Sequence, residues 1–158
     1  PAVSFIILLS LLCSCNSGGT TTLSTSPGTA TSSTTPATGP QSEILLDGDI
    51  SVSAETNNDY AFVIKPEMKD VSITGMFETL GGAPNHIQVY LMDDSTYYNW
   101  LKHHTVHILF DSGLMSAGEI DQAITTPGTY HLVYSNIAPA SLSPEQKVKT
   151  TVTLKWTY

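Results

Sequence analysis

Lys147-Val148-Lys149-Thr150-Thr151-Val152-Thr153-Leu154-Lys155-Trp156-Thr157-Tyr158 decides the fold class, because its character switches almost residue by residue. Val148, Val152, Leu154, Trp156 and Tyr158 fall on one face, and Lys147, Lys149, Thr151, Thr153, Lys155 and Thr157 on the other. Successive side chains of a strand point to opposite sides of the sheet, so this is a half-buried strand with a charged outer face. Upstream, 44–53, 60–65, 71–78, 87–92, 106–111, 119–124 and 130–135 repeat the pattern. Turn chemistry separates them at Asp47-Gly48, Asn57-Asn58-Asp59, Gly81-Gly82-Ala83-Pro84-Asn85, Ser112-Gly113 and Pro127-Gly128. About eight short strands at this spacing predict an all-β, antiparallel, jelly-roll-like β-sandwich over 43–158, long enough for one core. One segment breaks the period. Asp94-Ser95-Thr96-Tyr97-Tyr98-Asn99-Trp100-Leu101-Lys102 starts with an N-cap residue and predicts a short helix across one end of the sandwich.

The chain ahead of the sandwich has a different composition. Residues 3–12 are almost all apolar, a run far shorter than the roughly 20 residues of a membrane span and suited to a secretory signal. No Met and no basic segment precede it, so the sequence is read as truncated at its front. Leu12-Cys13-Ser14-Cys15 resembles the bacterial lipoprotein signal, with an aliphatic residue three before a Cys and a small residue just before it. The resemblance implies that 1–14 is a signal peptide and that Cys15 becomes the lipidated N-terminus, anchored by several acyl chains at about 0.8 kcal/mol per buried methylene. Competing readings are a Cys13 to Cys15 disulfide, a metal site, or two thiols in an apolar helix. A disulfide across one residue would be strained, and zinc would need further ligands nearby.

Residues 15–42 follow, and after Cys15 nearly every one of them is Ser, Thr, Gly, Pro or Ala, with Leu23 the only large aliphatic residue. Such a stretch cannot bury enough apolar surface to offset its ordering entropy, and it is expected to be a disordered tether. Its root-mean-square span is about 30 Å, and roughly 90 Å when drawn straight.

From Asp93 onward the order of signatures is similar to the GOLD-like and emp24-like family of secreted β-sandwiches. Asn99-Trp100, Ile108-Leu109-Phe110-Asp111-Ser112-Gly113, Gly118-Glu119-Ile120-Asp121 and Pro127-Gly128-Thr129-Tyr130-His131-Leu132-Val133-Tyr134-Ser135-Asn136 carry the likeness, followed by Lys147-Val148. The segment 128–136 also resembles the bacterial pre-peptidase C-terminal domain. Both resemblances imply a recognition or accessory module, and neither supplies a catalytic residue.

Fourteen acidic residues face six lysines, there is no Arg, and the formal net charge is −8. A phosphate backbone demands a basic stripe, so nucleic acid is excluded as the expected partner. His103, His104 and His107, with His86 and His131, are candidate metal ligands. Alternation turns His107 and His131 toward solvent, and His103 and His104 sit at a helix end where cations are favoured, so no metal site is assigned. Asp47, Asp49, Asp93, Asp94 and Asp121 could offer calcium its oxygen ligands, but they lack the spacing of a calcium loop. No nucleophile elbow, His-Glu-x-x-His helix or Cys nucleophile occurs, and neither enzyme activity nor a cofactor is expected. Tyr97, Tyr98, Asn99 and Trp100 form the candidate ligand-binding group, since clustered rings stack on sugars. Burial of Trp100 and one Tyr in the core explains the same cluster.

The sequence therefore predicts a non-catalytic, lipid-anchored protein of the cell envelope, at the outer membrane or cell surface where two membranes exist. Its partners are the membrane, through Cys15, and an envelope protein or glycan. The alternatives are a carbohydrate-binding module using Tyr97, Tyr98 and Trp100, or a structural or accessory domain with no ligand of its own.

Overall fold

A computed structural model describes residues 39–81, 86–137 and 144–158, which carry eight strands and one helix. The expected signal segment, Cys15 and nearly all of the expected tether lie outside the described residues. The strands are β1 (Gln41–Val52), β2 (Thr56–Ile64), β3 (Lys69–Leu80), β4 (Ile87–Asp93), β5 (Phe110–Met115), β6 (Ala117–Ile124), β7 (Gly128–Asn136) and β8 (Gln146–Thr157). The helix α1 (Asp94–Leu101) follows β4 directly.

One sheet has the order β1-β8-β3-β6 and the other β2-β7-β4-β5. All pairs are antiparallel. Strand 1 pairs with 8, 2 with 7, 3 with 6 and 4 with 5, so the chain behaves as one long hairpin whose two arms roll up together. The β8-β3 and β7-β4 pairings complete the roll, and the result is a jelly-roll sandwich.

The inner faces meet in a core that includes Ile73, Phe77, Val152 and Leu154 from the first sheet and Val89, Leu91, Leu132 and Tyr134 from the second. β8 shows the expected alternation, with Val148, Val152 and Leu154 buried and Lys147, Lys149 and Lys155 exposed. A polar clasp crosses this apolar layer. The Tyr134 hydroxyl lies 2.6 Å from Thr150 Oγ1, which in turn donates to the Met76 carbonyl at 3.1 Å. Burial pushes the Tyr134 phenol up to about 12, with a smaller push from Tyr60. At the edge strand β6, Gly118 stands opposite Phe77, whose ring fills the place a Cβ would take.

Several boundaries differ from the sequence expectation. β1 begins at Gln41 and runs through Asp47-Gly48 rather than turning there. Gly48 has φ of +137°, and the register with β8 shifts between Ile44 and Leu46, so a glycine and a bulge bend the strand without ending it. Asn57-Asn58-Asp59 lies inside β2, where it forms an unbroken ladder with β7. The strand expected at 106–111 is instead β5 at Phe110–Met115. Asp111-Ser112-Gly113 is a bulge within it: the Val89 N–H donates to the Ser112 hydroxyl at 2.8 Å, and the Gly113 N–H to Asp111 Oδ1 at 2.8 Å. Side chains here complete the ladder that the backbone leaves open, with Gly113 at φ of +66°.

Candidate functional site

α1 does not cross an end of the sandwich. It lies on the outer face of the second sheet, over β7 and β4, where Tyr97 and Trp100 join Ile108 in packing against Tyr90, Met92 and Val133. That small second core explains why β7 is buried on both faces from Tyr130 to Asn136.

Local chemistry fixes both ends of the helix. Asp93 is the N-cap, one residue earlier than expected: its Oδ1 accepts the Thr96 N–H at 2.9 Å and the Ser95 hydroxyl at 2.8 Å, and its Oδ2 accepts the Thr96 hydroxyl at 2.8 Å. Burial alone would raise the Asp93 carboxyl, but these bonds outweigh it and hold it below the usual Asp value. At the other end the His103 N–H reaches the Trp100 carbonyl at 2.9 Å and the His104 N–H the Asn99 carbonyl at 3.1 Å. This is a Schellman motif with His103 in the left-handed position, φ 59°.

The alternation that turned His131 toward solvent is corrected here. His131 does project from the outer face of β7, but α1 covers that face and leaves the residue only 5% exposed. Its Nδ1 sits 3.0 Å from both carboxylate oxygens of Asp59 on β2, and its Nε2 3.2 Å from Oδ1 of Asp94, the first residue of α1. Asp59 reaches the ring diagonally, because Ala61 and not Asp59 is the direct partner of His131. A carboxylate only accepts, so both contacts are hydrogen bonds at once only when the ring bears a proton on each nitrogen. Tyr97 stacks on the imidazole at 4.0 Å with 12° between planes. Burial raises the Tyr97 hydroxyl, and so do the negative charge of Asp59 and the hydrogen bond between the two.

The four residues singled out from the sequence therefore divide. Tyr97 and Trp100, three apart and on one helix face, are half-buried: Trp100 rests against Tyr90 at 5.4 Å and against Tyr97 at 6.3 Å. Tyr98, 54% exposed, and Asn99 face water. Sequence reasoning missed Asp59 and the burial of His131. The signal was present in β7, where Tyr130, Leu132 and Tyr134 alternate with Val133, so that both faces carry apolar groups.

His103, His104 and His107 are exposed on the segment after α1. Asp47 and Asp49 lie on the β1 outer face and Asp121 on β6, away from Asp93 and Asp94 at the helix. Among the described residues no group of three or more His, Cys, Asp or Glu is placed to hold a metal ion. Nor, among those residues, is any helix long and apolar enough to cross a membrane. The outer face of the first sheet carries an open depression of about 490 Å³ beside Met76, Glu78, Glu119 and Lys149.

No protein-family model and no curated protein matches the sequence. Among solved structures, the chain is similar to one described under "Bacillus endospore appendages form a novel family of disulfide-linked pili", with a TM-score of 0.42, 10% identity, and coverage of 77% of this chain and 90% of that one. A likeness at that score carries no argument about family or activity.

Proposed function

We propose that this chain is a lipid-anchored cell-envelope protein that carries a non-catalytic jelly-roll domain after a Ser/Thr/Gly/Pro-rich linker. The observation that carries the reading is the succession of Leu12-Cys13-Ser14-Cys15, a Ser/Thr/Gly/Pro tract, and a first strand that starts only at Gln41. The acylated Cys15 would hold the protein to the membrane. In a bacterium with two membranes, Asn16 after the lipidated Cys favours the outer membrane or cell surface.

Two features support a binding or accessory role over a reaction. The one buried imidazole among the described residues lies 3.0 Å from Asp59 and 3.2 Å from Asp94, where it bridges β2 and α1 rather than lining a cleft of its own. The resemblance of 128–136 to secreted sandwich modules points the same way. The surface that would meet an envelope protein or glycan is the outer side of α1, where Tyr98 and Asn99 are open to solvent. Half-burial of Trp100 and Tyr97 favours the second reading for those two rings, a structural one.

Detergent phase partitioning of the full chain made in a bacterium tests the anchor. The wild type should enter the detergent phase and the Cys15→Ser variant the aqueous phase; equal partitioning of the two would remove the proposal. For the binding surface, Tyr98→Ala should weaken capture of cell-wall material while keeping a cooperative melt.

A further inference from the structure

α1 has eight residues, none of them fully buried. A helix this short is marginal in water and depends on what docks it. Part of its docking is apolar, through Tyr97 and Trp100. Its polar docking converges on one ring, because His131 bridges a strand of the sheet and the first residue of the helix.

We propose that His131 is a proton-operated latch for α1: as an imidazolium it clasps Asp59 of β2 and Asp94 of α1 together, and loss of one ring proton frees the first turn of the helix from the sheet. The charged groups that face the ring are Asp59 from β2 and Asp94 from α1, and the titratable ones are Tyr97 and Tyr98 from α1. β4 contributes the uncharged Met92 directly opposite. Asp93 sits close in sequence, but its carboxylate is engaged by Ser95 and Thr96. His103, His104 and His107 make no polar contact with the ring.

The geometry also says which contact opens. Asp59 is held symmetrically at 3.0 Å, with a side chain 28% exposed and a further bond to Tyr97. Asp94 is held by one oxygen at 3.2 Å, and its side chain is 54% exposed. When solvent base takes the Nε2 proton, Nδ1 keeps its bond to Asp59 and an Nε2 lone pair is left facing Asp94. That carboxylate has water to turn to, and the helix start turns with it. The sign follows: the latch is closed while the imidazolium persists and opens as pH rises through its deprotonation. Tyr98 and Asn99 ride on the released element, so the device would govern how the outer side of α1 is presented, whatever that side binds.

The test is an NMR pH titration of the full-length chain that follows the His131 ring nitrogens together with the amide shifts and hydrogen exchange of residues 94–101. The ring and the α1 amides should share one midpoint, and the protection of the α1 amides, taken relative to their intrinsic base-catalysed exchange at each pH, should fall about tenfold or more above it, the scale of losing one charge-assisted hydrogen bond. In Asp94→Asn, an exposed change that leaves the Asp93 cap intact, the α1 response should shrink while the ring still titrates. His131→Asn should give fast exchange in α1 at every pH. A ring that titrates without any response from α1, an α1 response unchanged in Asp94→Asn, or a ring that stays doubly protonated until the sandwich melts would each overturn the proposal.

Discussion

Replacing Tyr134 by Phe removes one hydroxyl from the middle of the sandwich, and the structure fixes how the consequence depends on pH. Thr150 donates to the Met76 carbonyl, so the Tyr134 hydroxyl is the donor in the 2.6 Å bond between them. Its loss orphans no donor and leaves only a lone pair on Thr150, which places the cost near neutral pH at roughly 1 kcal/mol. The ring stays, and with it the edge contacts to Tyr60 and Phe77. Burial holds the wild-type phenol neutral up to about 12, from an ordinary value of 10.0. Because the folded value is raised, the associated stability is complete below pH 10 and is lost as pH climbs toward 12, where the unfolded chain ionises and the folded one does not. The full loss is roughly 2 to 3 kcal/mol. Phe cannot ionise, so the variant escapes it. Urea melts of both proteins should therefore show the variant less stable at pH 7, with the curves crossing near about pH 10 to 11 and the variant the more stable above. Burial also raises Tyr90, Tyr97 and Tyr130, but these are common to both chains and cancel in the difference. A gap that stays constant from pH 7 to 11.5 would refute the placement of this hydroxyl in the sealed interior.

Other substitutions probe the elements around it. His103→Gly relieves a side chain from φ 59° and should raise thermal stability by about 1 kcal/mol, read as an upward shift in Tm. Gly118→Ala places a Cβ 2.7 Å from the Phe77 ring and 2.9 Å from Met115 Sδ, so denaturant melts should show a loss of about 1 to 3 kcal/mol. Asp93→Ala deletes the helix cap and should cost about 1 kcal/mol, measurable by chemical denaturation. The Asp93 carboxyl is lowered in the fold, so its contribution is present above the unfolded Asp value and lost as pH falls through the folded one. The wild-type and variant curves should converge in acid.

The sandwich was legible because strand periodicity and turn residues are local signals. β8 shows it best, with Lys147, Lys149, Thr151 and Lys155 on one side and Val148, Val152 and Leu154 in the core on the other. The strand order was not legible, since it depends on pairings between segments more than 100 residues apart, such as Asp47 with Thr151. Local rules failed where a side chain took over a backbone role. Ser112-Gly113 reads as a turn and instead belongs to a bulge bridged by the side chains of Ser112 and Asp111, and Asp47-Gly48 reads as a turn and instead lies within β1. The helix was legible from its cap and its broken period, but its place on the outer face of the second sheet was not. That placement decides the site. Once α1 covers β7, the rule that turned His131 to water no longer holds, and a diagonal Asp59 becomes its partner.

The proposed lipid anchor at Cys15 would hold this sandwich outside the cytoplasmic membrane. Intact mass of the mature chain recovered from a bacterial host tests it most directly. The mature wild type should begin at Cys15 and carry acyl mass that Cys15→Ser lacks; a chain cut elsewhere, with no acyl mass and the same product from the variant, would refute the anchor.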